Sequence, residues 1–184
     1  MTVRGARILE VTAELDASRT RLLDSAASLS DADFSFSPQA DRWSIGEILH
    51  HLRLTEESVV RVLQKLADKA EKAGLGPDLG TSSILHSIDR LNIESAVDKI
   101  VAGASIVPAK GIPARELLDG LAGSRGALMK ALELCQRFDM TQMQFPHPVV
   151  GRLDAYQWVL FVAQHEERHR RQIESVKALL GGRS

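Results

Sequence analysis

Apolar side chains recur at steps of three, four and seven residues along four long segments of this chain. That spacing matches the 3.6 residues of an α-helical turn, so each segment predicts an amphipathic helix with one buried face. The predicted helices cover residues 3–29, Ser44 to Gly74, Pro113 onward, and about Leu153 to Leu180. No stretch alternates apolar and polar residues as a half-buried strand does. We therefore expect an all-α protein, in which residues 1–184 form one four-helix-bundle domain.

The connection between the second and third helices is long and irregular. Residues 74–83 are rich in Gly and Ser and predict a loop, and a short helix is expected over Ile84–Leu91. Residues 92–112 fit no single pattern, although a helical turn is plausible at Ser95–Val101. The sequence predicts a shorter loop around His147, between the third and fourth helices.

The composition fits one core and disfavours several classes of protein. Apolar residues make up 44% of the chain, and 23 Lys and Arg balance 24 Asp and Glu. This balance gives no broad attraction for nucleic acid or an anionic membrane. Cys135 is the single cysteine, which excludes an intrachain disulfide and fits a reducing compartment. Neither a signal-peptide pattern nor an apolar run of about 20 residues is present, so we expect a cytoplasmic protein.

His165 and His169 lie four residues apart on the fourth predicted helix. At about 100° per residue, both rings project from one face, which they share with apolar residues such as Trp158 and Ile173. An imidazole in such surroundings costs roughly a few kcal/mol unless it has a partner. A divalent metal ion can be that partner, since histidines at i and i+4 can chelate one ion. Hydrogen bonds to neighbouring carbonyl groups are the alternative.

A catalytic zinc-type site usually has three protein ligands and an open position, so one ligand is missing. The remaining histidines are His50, His51, His86 and His147, and many carboxylates are also available. On the second predicted helix, His50 points about 160° away from the apolar stripe, towards solvent. His51 lies about 100° from the centre of that stripe. We choose His51, because a side chain on the flank of the stripe can reach a cleft between helices.

The chain resembles the DinB superfamily of DinB/YfiT-like four-helix-bundle metalloenzymes, and most closely its DinB_2 branch. The features that carry the resemblance are Trp43-Ser44, His51-Leu52, His147-Pro148 with Gly151, and His165-x3-His169 with Gln172-Ile173. In that family, one histidine of the second helix and two of the last helix bind a metal. The resemblance therefore implies His51, His165 and His169 as the ligands. It also implies a homodimer, because the family often dimerises.

Three neutral imidazoles would leave a divalent ion with its full charge and an open position. Such an ion lowers the pKa of bound water, or binds a thiol as the nucleophilic thiolate. Zinc or nickel is expected. The family includes transferases and isomerases that use thiols such as bacillithiol and mycothiol, so the resemblance implies a low-molecular-weight-thiol S-transferase acting on a small-molecule substrate. A metal-dependent hydrolase and a non-catalytic helical stress-response or interaction module are the alternatives. No nucleic-acid or membrane partner is expected.

Other side chains near the histidines carry weaker expectations. Glu166 and Glu167 are expected to point away from the apolar face into solvent, although either can orient a ligand histidine. Gln172 lies three residues beyond His169 and can support it. Thr55 follows His51 by one turn and can reach the pocket. His147, between two prolines, reads as a rigid loop residue, with a place at the mouth of the site as the alternative.

Overall fold

The computed structural model describes residues 5–39, 41–95 and 104–181. Within them lie the helices α1 (Ala6–Ala26), α2 (Asp31–Ser35), α3 (Ile45–Lys72), α4 (Ala114–Cys135) and α5 (Ala155–Gly181), and the strands β1 (Gln144–His147) and β2 (Gly151–Asp154). The four long helices α1, α3, α4 and α5 confirm the predicted bundle. Of the turn predicted at Ser95–Val101, residues 96–101 lie outside the described residues, as do residues 3 and 4 of the first predicted helix.

Helix α3 begins where the sequence predicts, because Ser44 and Glu47 form a capping box. The Ser44 hydroxyl accepts a hydrogen bond from the backbone N–H of Glu47, and the Glu47 carboxylate accepts one from the backbone N–H of Ser44. Both groups satisfy N–H donors that have no partner within the helix. The capping box thereby fixes the start of the helix that carries His51.

The long helices form two parallel pairs. Helices α1 and α5 run in the same direction, since Ser18 pairs with Glu166 and Ser25 pairs with Lys177 further along both helices. Helices α3 and α4 are also parallel, and they run opposite to the first pair. The long connection between α3 and α4 must therefore run back along the bundle, which explains its length.

The apolar core of the described residues divides into two clusters, one towards each end of the bundle. Between them, each long helix buries polar side chains, and this layer contains Ser18, Arg19, Glu56, Ser124, Arg125 and Glu166. We call Arg19, Glu56, Arg125 and Glu166 the buried Arg–Glu cluster. Of the three histidines predicted as ligands, His51 lies in the second turn of α3, and His165 and His169 lie in the middle of α5.

The expectation that Glu166 is solvated is wrong. Glu166 is 1% exposed and accepts hydrogen bonds from Ser18 at 2.6 Å, from Arg19 at 2.8 Å and from Arg125 at 2.9 Å. A buried carboxylate is tolerated when oppositely charged groups and hydrogen bonds replace its lost water. The partners come from α1 and α4, more than 40 residues away in sequence.

Three connections also differ from their predictions. The segment around His147 is a β-hairpin, in which Gln144 pairs with Asp154 and His147 pairs with Gly151. Its prolines hide the alternation by which strands are recognised. Helix α5 consequently begins at Ala155, where the Asp154 carboxylate accepts a hydrogen bond from the backbone N–H of Gln157.

The other two differences lie elsewhere along the chain. The first predicted helix is shorter, and Ser30 caps the five-residue helix α2 within the connector. The predicted short helix over Ile84–Leu91 reduces to turns and one 3-10 turn at Asp89–Leu91.

Candidate metal centre

Helices α3 and α5 bring His51, His165 and His169 together. One ring nitrogen of each histidine lies within 4.8 Å of the corresponding nitrogens of the other two. The Nε2 atoms of His165 and His169 are 3.1 Å apart. The His51 ring centroid lies 5.2 Å from that of His165 and 5.0 Å from that of His169. The predicted grouping is therefore present, while metal ligation by the group stays a prediction.

Hydrogen bonds fix the orientation of two of these rings. His51 Nδ1 lies 2.8 Å from the backbone oxygen of Ile106, and His169 Nδ1 lies 2.9 Å from Oε1 of Gln172. Each oxygen can only accept, so each Nδ1 carries the proton and each Nε2 keeps its lone pair. Histidines that bind metals usually make this second hydrogen bond. Gln172 thus makes the supporting contact that the sequence suggested.

Burial keeps the three imidazoles neutral. It lowers the pKa of His51 and lowers that of His165 well below the ordinary value. It also lowers the pKa of His169 to about 3. The positive charge of Arg168 acts in the same direction on all three. Neutral imidazole is the form that binds a metal ion, so no proton has to be displaced at neutral pH.

Aromatic side chains enclose the histidines on both sides. Trp43, which precedes the cap of α3, has its ring centroid 4.7 Å from that of His51 and 6.2 Å from that of His169. Phe161 stacks on His165 with centroids 5.3 Å apart and planes 15° apart. These contacts restrict the rotation of the imidazoles and replace water around them.

His147 does not belong to the group of three histidines, and the Phe161 ring lies between it and His165. His147 is the last residue of β1, and its centroid is 4.6 Å from that of Phe161 and 5.1 Å from that of Trp158. Its Nδ1 accepts hydrogen bonds from the backbone N–H groups of Val149 and Val150. Burial lowers its pKa. These hydrogen bonds hold His147 at the end of a hairpin strand, where the sequence predicts a loop.

The other two histidines also lie outside the group. His50 is half-buried, contrary to the prediction that it points into solvent, and its Nδ1 accepts a hydrogen bond from the backbone N–H of Ala109. His50 and His51 therefore both hold the segment that precedes α4. That contact could not be predicted, because nothing in the sequence of 104–112 specifies where the segment lies. His86 is exposed and pairs with Asp89.

Charged residues after His165 form ion pairs along α5. Glu167 pairs with Arg170 at 2.8 Å and with Arg171 at 3.3 Å, and it also pairs with Arg21 of α1. These charged residues of α5 thus pair with one another and with α1. Glu167 keeps 12% of its side-chain area exposed, so its expected contact with solvent is largely replaced by arginine.

Comparisons with known proteins agree with the fold and with the family resemblance. Residues 14–173 match the family model DinB_2, described as the DinB superfamily. The uncharacterized protein YuaE of Bacillus subtilis (strain 168) is 26% identical over 155 residues, which cover 81% of this chain and 86% of the relative. A solved structure described as TT2238, a four-helix bundle protein, has a TM-score of 0.61 at 22% identity, covering 91% of this chain and 98% of that one. The last likeness shows the fold alone. Among the described residues, no helix has the length and apolar content required to cross a membrane.

Proposed function

Because this chain belongs to the DinB superfamily, we propose that His51, His165 and His169 bind one divalent metal ion, zinc or nickel, in the site of a metal-dependent enzyme. One observation carries the proposal. Three neutral imidazoles from two helices converge with their ligand nitrogens within 4.8 Å of one another. Membership of a superfamily whose proteins typically bind metals supports it.

The three side chains are suitable ligands for a divalent ion, and hydrogen bonds orient two of them. Imidazole nitrogen suits zinc and nickel among the common metals. The Nδ1–H groups of His51 and His169 already have acceptors, which leaves the lone pair of each Nε2 available to a metal ion. Among residues 5–39, 41–95 and 104–181, no other set of three His, Cys, Asp or Glu side chains has this arrangement. Three protein ligands are typical of catalytic zinc sites, which keep one position for an exogenous ligand.

The proposed reaction is the transfer of a low-molecular-weight thiol, such as bacillithiol or mycothiol, to an electrophilic small molecule. A bound divalent ion lowers the pKa of a coordinated thiol and so supplies the nucleophilic thiolate. In the overall reaction a carbon–sulfur bond forms, the bond to the leaving group breaks, and the thiol proton is released. The chain itself holds the imidazoles neutral and oriented, and Trp43 and Phe161 exclude water beside them.

Metal analysis of the purified protein tests the site. We expect about one metal ion per chain in the native protein, with most of it lost in His51→Ala and in His165→Ala. His50→Ala is the matched control, because His50 is the neighbour of His51 and is bonded to Ala109 instead. Equal metal content in the native protein and in both ligand variants would rule out the proposed site.

Thiol conjugation tests the reaction separately. The metal-loaded protein is incubated with bacillithiol, mycothiol or other small thiols and the electrophile monochlorobimane, beside a chelator-treated sample. Conjugation that requires the metal supports the transferase. A metal-loaded protein that conjugates none of several thiols would favour the non-catalytic module, and metal-dependent ester hydrolysis without conjugation would favour the hydrolase.

A further inference from the structure

Thr55 buries a hydroxyl group that has no hydrogen-bond partner among the described residues, on the helix that carries His51. The residue is 7% exposed, and its Oγ1 has no hydrogen-bond partner among the described residues. A threonine in a helix commonly bonds to the carbonyl group one turn earlier, as Thr20 does to Asp16 at 2.9 Å. A buried hydroxyl that lacks any such bond loses its water without compensation. The position of Thr55 indicates what can compensate it.

Thr55 lies one helical turn beyond His51 on α3. Side chains four residues apart stand one above the other, with Cβ atoms about 5–6 Å apart. Because all Cα–Cβ bonds in a helix tilt towards its N-terminus, the two side chains lean in the same direction and keep this spacing. The His51 ring in turn contacts the rings of both His165 and His169. The unpaired hydroxyl therefore lies on the face of α3 that carries His51, one turn beyond it.

We propose that the Thr55 hydroxyl donates a hydrogen bond to the small anionic ligand, a thiolate in the proposed reaction, that binds beside the three histidines. This inference rests on the proposed metal site. A hydroxyl can donate to a thiolate or another anion, whereas the three imidazole lone pairs cannot. Thr55 is thus a ligand-binding residue that favours anionic over neutral ligands. It is not itself a ligand of the metal.

The test uses cobalt(II) bound to the full chain, since its visible absorption changes when a ligand joins the metal. The probe is 2-mercaptoethanol. We expect Thr55→Val, which has the same shape without the hydroxyl, to raise the Kd for 2-mercaptoethanol about tenfold or more, as loss of a hydrogen bond to a charged group does. Thr55→Ser should restore the native Kd, and the Kd for cobalt should change less than twofold.

Stability of the metal-free chain gives a second readout. We expect the urea midpoint of Thr55→Val to equal or exceed the native one, because the substitution removes an uncompensated buried hydroxyl. A lower midpoint would show that the hydroxyl already has a partner and would overturn the inference. Thr12→Val is the control, since Thr12 of α1 also buries an unpaired hydroxyl but lies on a helix without any of the three histidines. Its Kd for 2-mercaptoethanol should match the native value.

The outcomes separate this inference from the proposed function. A native chain that binds no cobalt would overturn both. A native chain that binds cobalt and thiol, with an unchanged thiol Kd in Thr55→Val, would overturn only the role of Thr55. Loss of cobalt binding in Thr55→Val, as severe as in His51→Ala, would also overturn it, because the hydroxyl would then act on the metal site itself.

Discussion

The Nε2 atom of His165 faces the Nε2 atom of His169 at 3.1 Å. Since Gln172 holds the proton of His169 on Nδ1, the Nε2 of His169 can only accept while the ring is neutral. His165 must therefore donate through its Nε2–H, and a second proton on His169 would require His165 to change tautomer. The arrangement is therefore compatible with neutral rings and opposes protonation, in the same direction as burial.

The first prediction is that acid destabilises the metal-free protein. Folding lowers the pKa of His169 to about 3 and that of His165 well below the ordinary value, against about 6.5 in an unfolded chain. Between these values the unfolded state binds more protons than the folded state. The free energy of unfolding should therefore decrease as the pH is lowered, by about 1.4 kcal/mol per pH unit for each such histidine. Urea denaturation at intervals between pH 7.5 and pH 5 measures this slope.

A variant isolates the contribution of the imidazoles from that of other groups. Asp154 acts in the opposite sense, because burial raises its pKa to about 6 and the folded state then binds the additional proton. His169→Asn leaves Asp154 in place and removes one depressed imidazole. Its stability should fall less steeply with acid than that of the native protein. An equal slope in the two proteins would contradict the assignment of the pH dependence to His169.

The second prediction concerns the buried Arg–Glu cluster. Glu166→Gln removes one of its two carboxylates and leaves Arg19 and Arg125 with an uncompensated buried charge. Breaking a buried pair in this way costs about 3–5 kcal/mol of stability. Glu167→Gln, one residue along the chain, disrupts ion pairs at the protein surface that are worth about 1 kcal/mol or less. Urea denaturation at pH 7.5 compares the two variants, and equal losses would refute the buried role of Glu166.

The environment of Glu166 could not be predicted from the sequence, whereas the helices and the three histidines could. The period of apolar residues locates each helix, and helical geometry places His165 and His169 on one face and His51 on a flank. These features depend on one helix at a time. The environment of Glu166 depends on which neighbours α5 has on its other sides, and its arginine partners come from α1 and α4. No local pattern encodes that packing.

The third prediction concerns the hydrogen bond that orients His169. Gln172→Ala removes the acceptor for its Nδ1–H, so the ring can rotate or change tautomer. Loss of such a supporting group typically weakens metal affinity about 10–100-fold. Competition with a chromogenic chelator measures the Kd for zinc. Gln164→Ala serves as the control, because Gln164 lies on the same helix and donates to Asp89 instead. Similar affinities for both variants would show that Gln172 does not support the site.

The last prediction compares two glycines whose substitution by alanine should change stability in opposite directions. Gly151 pairs with His147 in the hairpin and has φ +90°, a conformation that residues with a Cβ rarely adopt. Gly151→Ala should therefore destabilise the protein by about 1–3 kcal/mol. Gly126 is an exposed residue of α4, and a Cβ added there meets no atom within 4 Å. Gly126→Ala should stabilise the protein by about 0.5–1 kcal/mol, because alanine loses less backbone freedom in a helix. Urea denaturation of both variants measures these changes in stability. A Gly151→Ala protein as stable as the native one would mean that the hairpin holding His147 does not require this backbone conformation.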